Sequence, residues 1–584
     1  MFIPFIPHPR ALAAFAATTT LALTGCGGGG GDGGAAPFAP LPITQQSCAS
    51  MGGLSIPASE IAVANAGATV KSATLVKATD SGNANGDFCK VLGSFKAIDP
   101  AAPVINFEVN LPVTWNGKLV QEGGGGFDGT LVTGLDPLNF TAATAPTPVA
   151  LGYVTMGDDA GHVGGVTDGS FAANDEALFN YGRLSLKKTH DATIALMKRL
   201  YQVAVPRKTY FIGSSTGGRD GLSAIQNWPD DYDAIFINRP ALNYTGLRLA
   251  NNQLGRSVFL NNGAGWLNPA KTRLLLDTVM ASCDALDGVQ DGIISNLPSC
   301  KAKGDATLVA LRCANGADTG DSCLSDPQLA TVRTMASPIK LSYPLANGVT
   351  QYGGYNLLAG TVFGPPYSAA RNFGPSPAAP AAPNFLAVGS GTGANAPNAY
   401  VTGDQWMKYF ITRNASFNTL TVDPVNPGVW QARIQAISAQ TDAASTDLDR
   451  FILKGGRIVW THGSADEVVS TDSSIDYYNQ LVARYGPAKV DEFVRFYLIY
   501  GNGHGDTGPF LPQFDSLKIL SNWVENAVDP ANTLVATNTR TAKDATDKSP
   551  AATTARPLCR YPQYPKYNGG SANPALATSF TCSL

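Results

Sequence analysis

The sequence predicts an α/β architecture, a largely parallel sheet covered by helices and interrupted by one long insertion. Apolar strand-like runs alternate with helical stretches up to about residue 240, and the same rhythm returns after about residue 450. Between roughly residues 241 and 440 that rhythm fails, and proline- and alanine-rich stretches such as GPSPAAPAAPNF take over. A rhythm that stops and resumes marks a domain inserted into a loop of another, so residues 46–240 and 441–584 read as two halves of one sheet domain.

The elements follow in order. GKLVQEGGGG and YVTMGDDAGH are short apolar strands that run into glycine- or aspartate-rich loops. SLKKTHDATIALMKRLYQ has helical periodicity, KTYFIG is a β-rich run, GRDGLSAIQNW is helical, and YDAIFINRP is another strand. In the second half GGRIVWTHG and VRFYLIYGNGH read as strands and FDSLKILSNWVENA as a helix.

Composition narrows the function. A chain of 584 residues, 44% hydrophobic, buries a substantial core. Lysine plus arginine (41) nearly balance aspartate plus glutamate (44), and no basic run stands out, so a nucleic-acid partner has no electrostatic support. The N-terminus reads as an export signal over residues 1–25: Arg10 precedes the apolar run ALAAFAATTTLALTG, which is too short for a stable membrane span. That run ends in Leu23-Thr24-Gly25-Cys26, which resembles a bacterial lipobox. Cleavage there predicts a lipidated Cys26, and residues 26–45 become a glycine- and proline-rich tether. The alternative is an ordinary secretory signal with an incidental cysteine. Both place the chain outside the cytoplasm, as an outer-membrane, periplasmic or secreted protein whose only membrane contact is a lipid at Cys26. Eight further cysteines suit a compartment where disulfides persist, and their spacing suggests local pairs: Cys48 with Cys89, Cys283 with Cys300, Cys313 with Cys323, and Cys559 with Cys582.

The stretch FIGSSTGGRDG carries the chemistry. Gly213 to Gly217 fit G-x-S-x-G with Ser215 at the centre, between a predicted strand and a predicted helix. A sharp turn there lifts the central hydroxyl over the sheet edge, and the helix N-terminus aims N–H groups at developing negative charge. Ser215 is therefore the candidate nucleophile, and it needs a base. Of five histidines, His8 lies in the signal, His190 sits in a helix, His162 belongs to the DDAGH loop and is expected to shape the site wall, and His462 ends a strand. His504, in YGNGHGDTG, lies on the loop after the last strong strand, and it alone satisfies the serine, acid, histidine order of an α/β-hydrolase fold. The acid belongs on the loop after the preceding strand, where WTHGSADEVV offers Asp466 at the turn and Glu467 as the alternative. The long insertion is then expected to cap the triad as a lid.

From about residue 46 to 584 the chain resembles the tannase/feruloyl esterase family, whose relatives include mono-hydroxyethyl terephthalate hydrolases. The segments that carry the resemblance are WNGKLVQEGGGGFDG, YFIGSSTGGRDG, CDALDGVQDGIISNLPSC, WTHGSADEVV, YGNGHGDTG and RPLCRYPQYPKYNG. The resemblance implies an α/β-hydrolase fold with a large lid, a triad on Ser215, Asp466 and His504, and an oxyanion hole from the amides of Thr216 and Gly126. It also implies the four cysteine pairs suggested by spacing.

CDALDGVQDGI crowds Asp284, Asp287 and Asp291 into eight residues, with the Val289 and Ile293 carbonyls spaced to complete an oxygen shell. On its own this is either a calcium loop or a solvated acidic turn, and the resemblance implies structural Ca2+ in the lid. Two departures stand out. Terephthalate-ester relatives hold a substrate carboxylate with an arginine shortly before a tryptophan resembling Trp406, whereas GSGTGANAPNAYVTGDQW has no basic residue, so a neutral phenolic ester is expected. The family's usual cysteine pair beside the serine and histidine is here Ser214 and Gly505. The expected function is an exported serine esterase acting on a small aromatic ester, feruloyl, galloyl or similar, through an acyl-enzyme. The alternatives are a terephthalate-monoester hydrolase and a non-catalytic surface binding lipoprotein.

Overall fold

The computed structural model describes residues 40–364, 367, 398–505, 507–531, 533–541 and 549–584. The signal segment, Cys26 and most of the tether lie outside the described residues, as do GPSPAAPAAPNF and the first half of GSGTGANAPNAYVTGDQW.

A ten-stranded sheet organises the chain. Its strands are β1 (Ser55–Ile56), β2 (Ala68–Val76), β3 (Phe88–Phe95), β4 (Ile105–Pro112), β5 (Lys118–Glu122), β6 (Val154–Asp158), β7 (Lys208–Ser214), β8 (Ala234–Asn238), β9 (Arg457–Gly463) and β10 (Val494–Ile499), in the spatial order β1-β2-β3-β4-β6-β5-β7-β8-β9-β10. From β6 to β10 all neighbours are parallel. Helices cover both faces of such a sheet, and its strands read as unbroken apolar runs: every residue of AIFIN in β8 and of VRFYLI in β10 is buried. These strands, with the helices α1 (Ser185–Leu200) and α2 (Thr216–Asn227), lie where the sequence pattern predicts them.

The antiparallel extension β1 to β4 has no counterpart in that pattern. In β3 one side faces the core, so FCKVLGSF alternates buried and half-buried residues and lacks a continuous apolar run.

The described residues between β8 and β9 are largely helical and begin with α3 (Tyr244–Phe259). One apolar cluster runs from the sheet, through Phe236, Trp460 and Phe496, into Leu254, Leu275 and Phe410 of the insertion. All four cysteine pairs suggested by spacing are bonded. The Cys48–Cys89 bridge spans a separation of 41 residues; a closure of that length restricts the unfolded chain by about 4 kcal/mol on the chain-entropy account. Among the described residues no helix is long and apolar enough to cross a membrane.

Candidate active site

β7 ends at Ser214, α2 begins at Thr216, and the whole reversal falls on Ser215, with φ 60° and ψ −119°. A serine in that left-handed region is strained and persists only where its surroundings fix it. They do so through the backbone: the Ser215 amide donates to the Asn238 carbonyl at 2.9 Å, and the Ser215 carbonyl accepts from Ala241 at 3.0 Å. Glycine is required on both sides, because a Cβ at Gly213 would lie 2.2 Å from the Gly217 carbonyl oxygen and one at Gly217 would lie 2.9 Å from the Gly123 backbone.

That close approach docks the loop after β5 onto the start of α2. Gly217 donates to the Gly124 carbonyl at 2.9 Å, and the Gly126 carbonyl accepts from Thr216 Oγ1 at 2.7 Å and from the Tyr181 hydroxyl at 3.0 Å. Gly126 holds φ 64°. Among the described residues neither the Thr216 nor the Gly126 amide has a protein acceptor, so both donors remain available beside Ser215.

The loops after β9 and β10 meet at the same sheet edge. His504 Nδ1 lies 2.9 and 3.1 Å from the two Asp466 oxygens, and the buried carboxylate also accepts from the amides of Val468 and Val469 at 2.8 and 2.9 Å. Burial raises the Asp466 carboxyl; the imidazoles of His504 and then His462 overcome that and hold it well below the usual carboxylate range. Glu467 faces away from the imidazole. Its carboxylate accepts from the His504 amide at 2.9 Å and from the Thr507 hydroxyl at 3.1 Å, so it shapes the loop while Asp466 contacts the ring. Ser215, Thr216, Gly126 and His504 line one cavity of about 410 Å³.

Arg239, directly after β8, was not singled out by the sequence. Its Nε donates to Ser214 Oγ at 3.1 Å and its Nη1 to the Gly503 carbonyl at 2.8 Å, while Asn238 Nδ2 also reaches Ser214 Oγ at 3.2 Å. One guanidinium therefore spans the Ser215 turn and the His504 loop. His162 is 3% exposed and stacked on Phe171, with ring centroids 3.7 Å apart, and is not among the residues that line this cavity.

A second cavity, of about 610 Å³, shares no lining residue with the first and is bordered by Asp284, Asp291 and Arg556. Burial, and then repulsion from Asp291, pushes Asp287 up to about 7, and burial pushes Asp284 up to about 6. Among the described residues only Arg556 forms an ion pair with this triplet, through Asp291. The carboxylates accept from the amides of Val289, Gly292 and Ile293 and do not converge within 4.8 Å of one another. The one cluster that does among the described residues is His190, Asp191 and Asp231, where Lys187 Nζ already lies 2.7 Å from both carboxylates.

Residues 89–583 match the family described as tannase and feruloyl esterase. An uncharacterised esterase of Agrobacterium fabrum is 38% identical over 541 residues, 92% of each chain. A mono(2-hydroxyethyl) terephthalate hydrolase of Piscinibacter sakaiensis is 29% identical over 552 residues, 86% of each chain. Among solved structures, feruloyl esterase B from Aspergillus oryzae superposes with a TM-score of 0.67 at 22% identity, over 92% of this chain and 100% of that one, which supports the α/β-hydrolase fold. With the turn, the glycine loop and the two following loops assembled at one sheet edge, the chain belongs to the tannase and feruloyl esterase family of carboxylic ester hydrolases.

Proposed function

We propose that this protein is an exported serine esterase that cleaves aromatic carboxylic esters through an acyl-enzyme on Ser215. The observation that carries the reading is the His504 ring, held by Asp466 through Nδ1 and opening with Ser215 onto one cavity. In this reading His504 Nε2 takes the Ser215 proton as Oγ attacks the ester carbonyl, then returns it to the departing alcohol. Water repeats the sequence to release the acid. Asp466 keeps the imidazole in the required tautomer and stabilises the imidazolium, and the unpaired amides of Thr216 and Gly126 receive the oxyanion.

Residues 241–440 act as a lid, and Arg248, Asn251 and Thr402 are among those of them that line the catalytic cavity. Four disulfides suit an oxidising compartment and support export, with Cys26 as lipid attachment. Asp284, Asp287 and Asp291, with the carbonyls of Val289 and Ile293, hold Ca2+. The fit rests on the donor set, three partly buried carboxylates of which one guanidinium neutralises only one, in a loop closed by Cys283–Cys300. Calcium there supplies structural charge neutralisation and takes no part in the ester chemistry.

The test is hydrolysis of p-nitrophenyl acetate and methyl ferulate by Ser215→Ala and Ser214→Ala. Ser215→Ala is expected to lose about 10⁴–10⁶-fold in rate while remaining folded, and Ser214→Ala to retain most activity. The reverse pattern would overturn the assignment of the nucleophile, and an inactive wild-type protein would favour the surface binding lipoprotein.

A further inference from the structure

α3 brings into the catalytic cavity a cation that no carboxylate of the described protein neutralises. Arg248 is 4% exposed and lines the cavity with Ser215 and His504. Its guanidinium lies 4.7 Å from the ring centroid of Phe127 and 4.5 Å from that of Tyr244. Its Nε is buried without a hydrogen-bond partner, and so is the neighbouring Tyr244 hydroxyl.

The other buried arginines differ. Arg219 pairs with Asp220, Arg495 with Asp529, Arg556 with Asp291, Arg239 donates to Ser214 and Gly503, and Arg540 donates to Ser549. Arg248 forms no ion pair within the described residues, and the polar group beside its guanidinium is the neutral Tyr244 phenol. The nearby acids are committed elsewhere: Asp466 to His504, and Asp442 to the amide and hydroxyl of Thr245. Tyr181 and Tyr244 are phenols whose burial holds them in the neutral form.

A guanidinium removed from water without a counter-charge is costly. Aromatic rings can cover its faces, which leaves the N–H edges, the part that matches a carboxylate in two parallel bonds. We infer that Arg248 is a specificity-determining residue that receives a carboxylate carried by the substrate, so that the preferred substrate is an ester-acid, such as a half-ester of an aromatic diacid. The inference rests on the esterase reading of Ser215. It revises the neutral ester expected from the segment before Trp406, because the cation comes from the first helix of the insertion instead.

The matched probes are the monomethyl and dimethyl esters of benzene-1,4-dicarboxylic acid, which share a scissile bond and differ in the distal charge. Wild-type full-length protein is expected to favour the monoester in kcat/KM. Arg248→Gln is expected to lower the monoester-to-diester ratio by roughly 10–100-fold, mainly through KM, and Arg248→Lys, which keeps the charge and loses the fork, to fall between. In parallel, benzene-1,4-dicarboxylate binding to Ser215→Ala is measured by calorimetry, with and without Arg248→Gln. A ratio unchanged by Arg248→Gln, with the diester still hydrolysed, would overturn the carboxylate site and leave the esterase reading intact. No hydrolysis of either ester, with dicarboxylate binding that requires Arg248, would overturn the esterase reading and support the site. Dicarboxylate binding independent of Arg248 would also overturn the site.

Discussion

Asp466 and Glu467 are neighbours with the same functional group and opposite tasks, because the turn after β9 sends one side chain to the His504 ring and the other to the His504 amide. Asp466→Asn keeps the shape and removes the charge that selects the tautomer, so kcat is expected to fall about 10⁴-fold with little change in folding. Glu467→Gln is expected to cost far less rate and to lower the melting temperature, since its bonds are to loop backbone and a hydroxyl. Activity and melting curves of the two variants separate these roles, and equal loss of rate in both would contradict the division. Asp466 was legible in the sequence because it sits at the turn after a strand. The task of Glu467 was not, since it depends on a loop 37 residues further along the chain folding back against it. His162 gives a residue-scale dependence on pH. Burial holds its ring down to about 4, against about 6.5 in an unfolded chain. Between those values the unfolded state binds the proton that the folded state refuses, so this contribution to stability is complete above about 6.5 and is lost as pH falls toward about 4. His162→Gln is expected to flatten that part of the profile, read as urea midpoints at neutral pH and at about pH 5; an unchanged slope would assign the dependence to other groups.

At the scale of elements, the site is where the ends of β7, β8, β9 and β10 meet, and Arg239 fastens β7's turn to β10's loop. Strands, the turn and the meeting of the loops that carry Ser215, Asp466 and His504 were legible, because apolar runs and glycines are local signals. The clasp was not legible, since an arginine after a strand ordinarily reads as a surface residue and only the parallel order of β7, β8 and β9 brings it between the two loops. Without a covalent tie, these hydrogen bonds fix the distance between nucleophile and base, and a displacement of about 1 Å there costs on the order of 10²-fold in rate. Arg239→Ala is therefore expected to lower kcat by about 10- to 100-fold with KM little changed. Ser214→Cys with Gly505→Cys in the same background should recover much of the loss under oxidising conditions. Gly505 holds φ 73°, so the new cysteine carries some left-handed strain, about 1–2 kcal/mol, against a closure entropy of roughly 5 kcal/mol for so long a loop. Two titratable thiols in the folded triple variant would show that the positions are not neighbours.

Across the whole molecule, the acidic loop of the insertion is held against the C-terminal segment, which the sequence alone did not place beside it. Asp291 pairs with Arg556, and Asn296 Nδ2 donates to the Tyr564 hydroxyl at 3.0 Å, on either side of the Cys559–Cys582 bridge's first cysteine. The crowding of three carboxylates was legible from spacing, whereas Arg556, which relieves one of them, lies 265 residues away. Among the described residues that partner leaves two carboxylates of the triplet without a cation, in a loop that joins the insertion to the end of the chain. A divalent ion bound there strengthens a contact between distant parts of the fold, and an ion that binds only the native state stabilises it by about 2.7 kcal/mol at a hundredfold excess over Kd. Removing calcium with a strong chelator is therefore expected to lower the melting temperature by a few degrees, and to do so equally in the wild-type protein and in Ser215→Ala, because the ion has no part in the chemistry. Asp287→Ala should start at the lower temperature and respond little to chelator. Scanning calorimetry with and without calcium decides it: a wild-type melting curve unmoved by the chelator, together with no calcium by elemental analysis, would return the loop to a solvated acidic turn held by Arg556 alone.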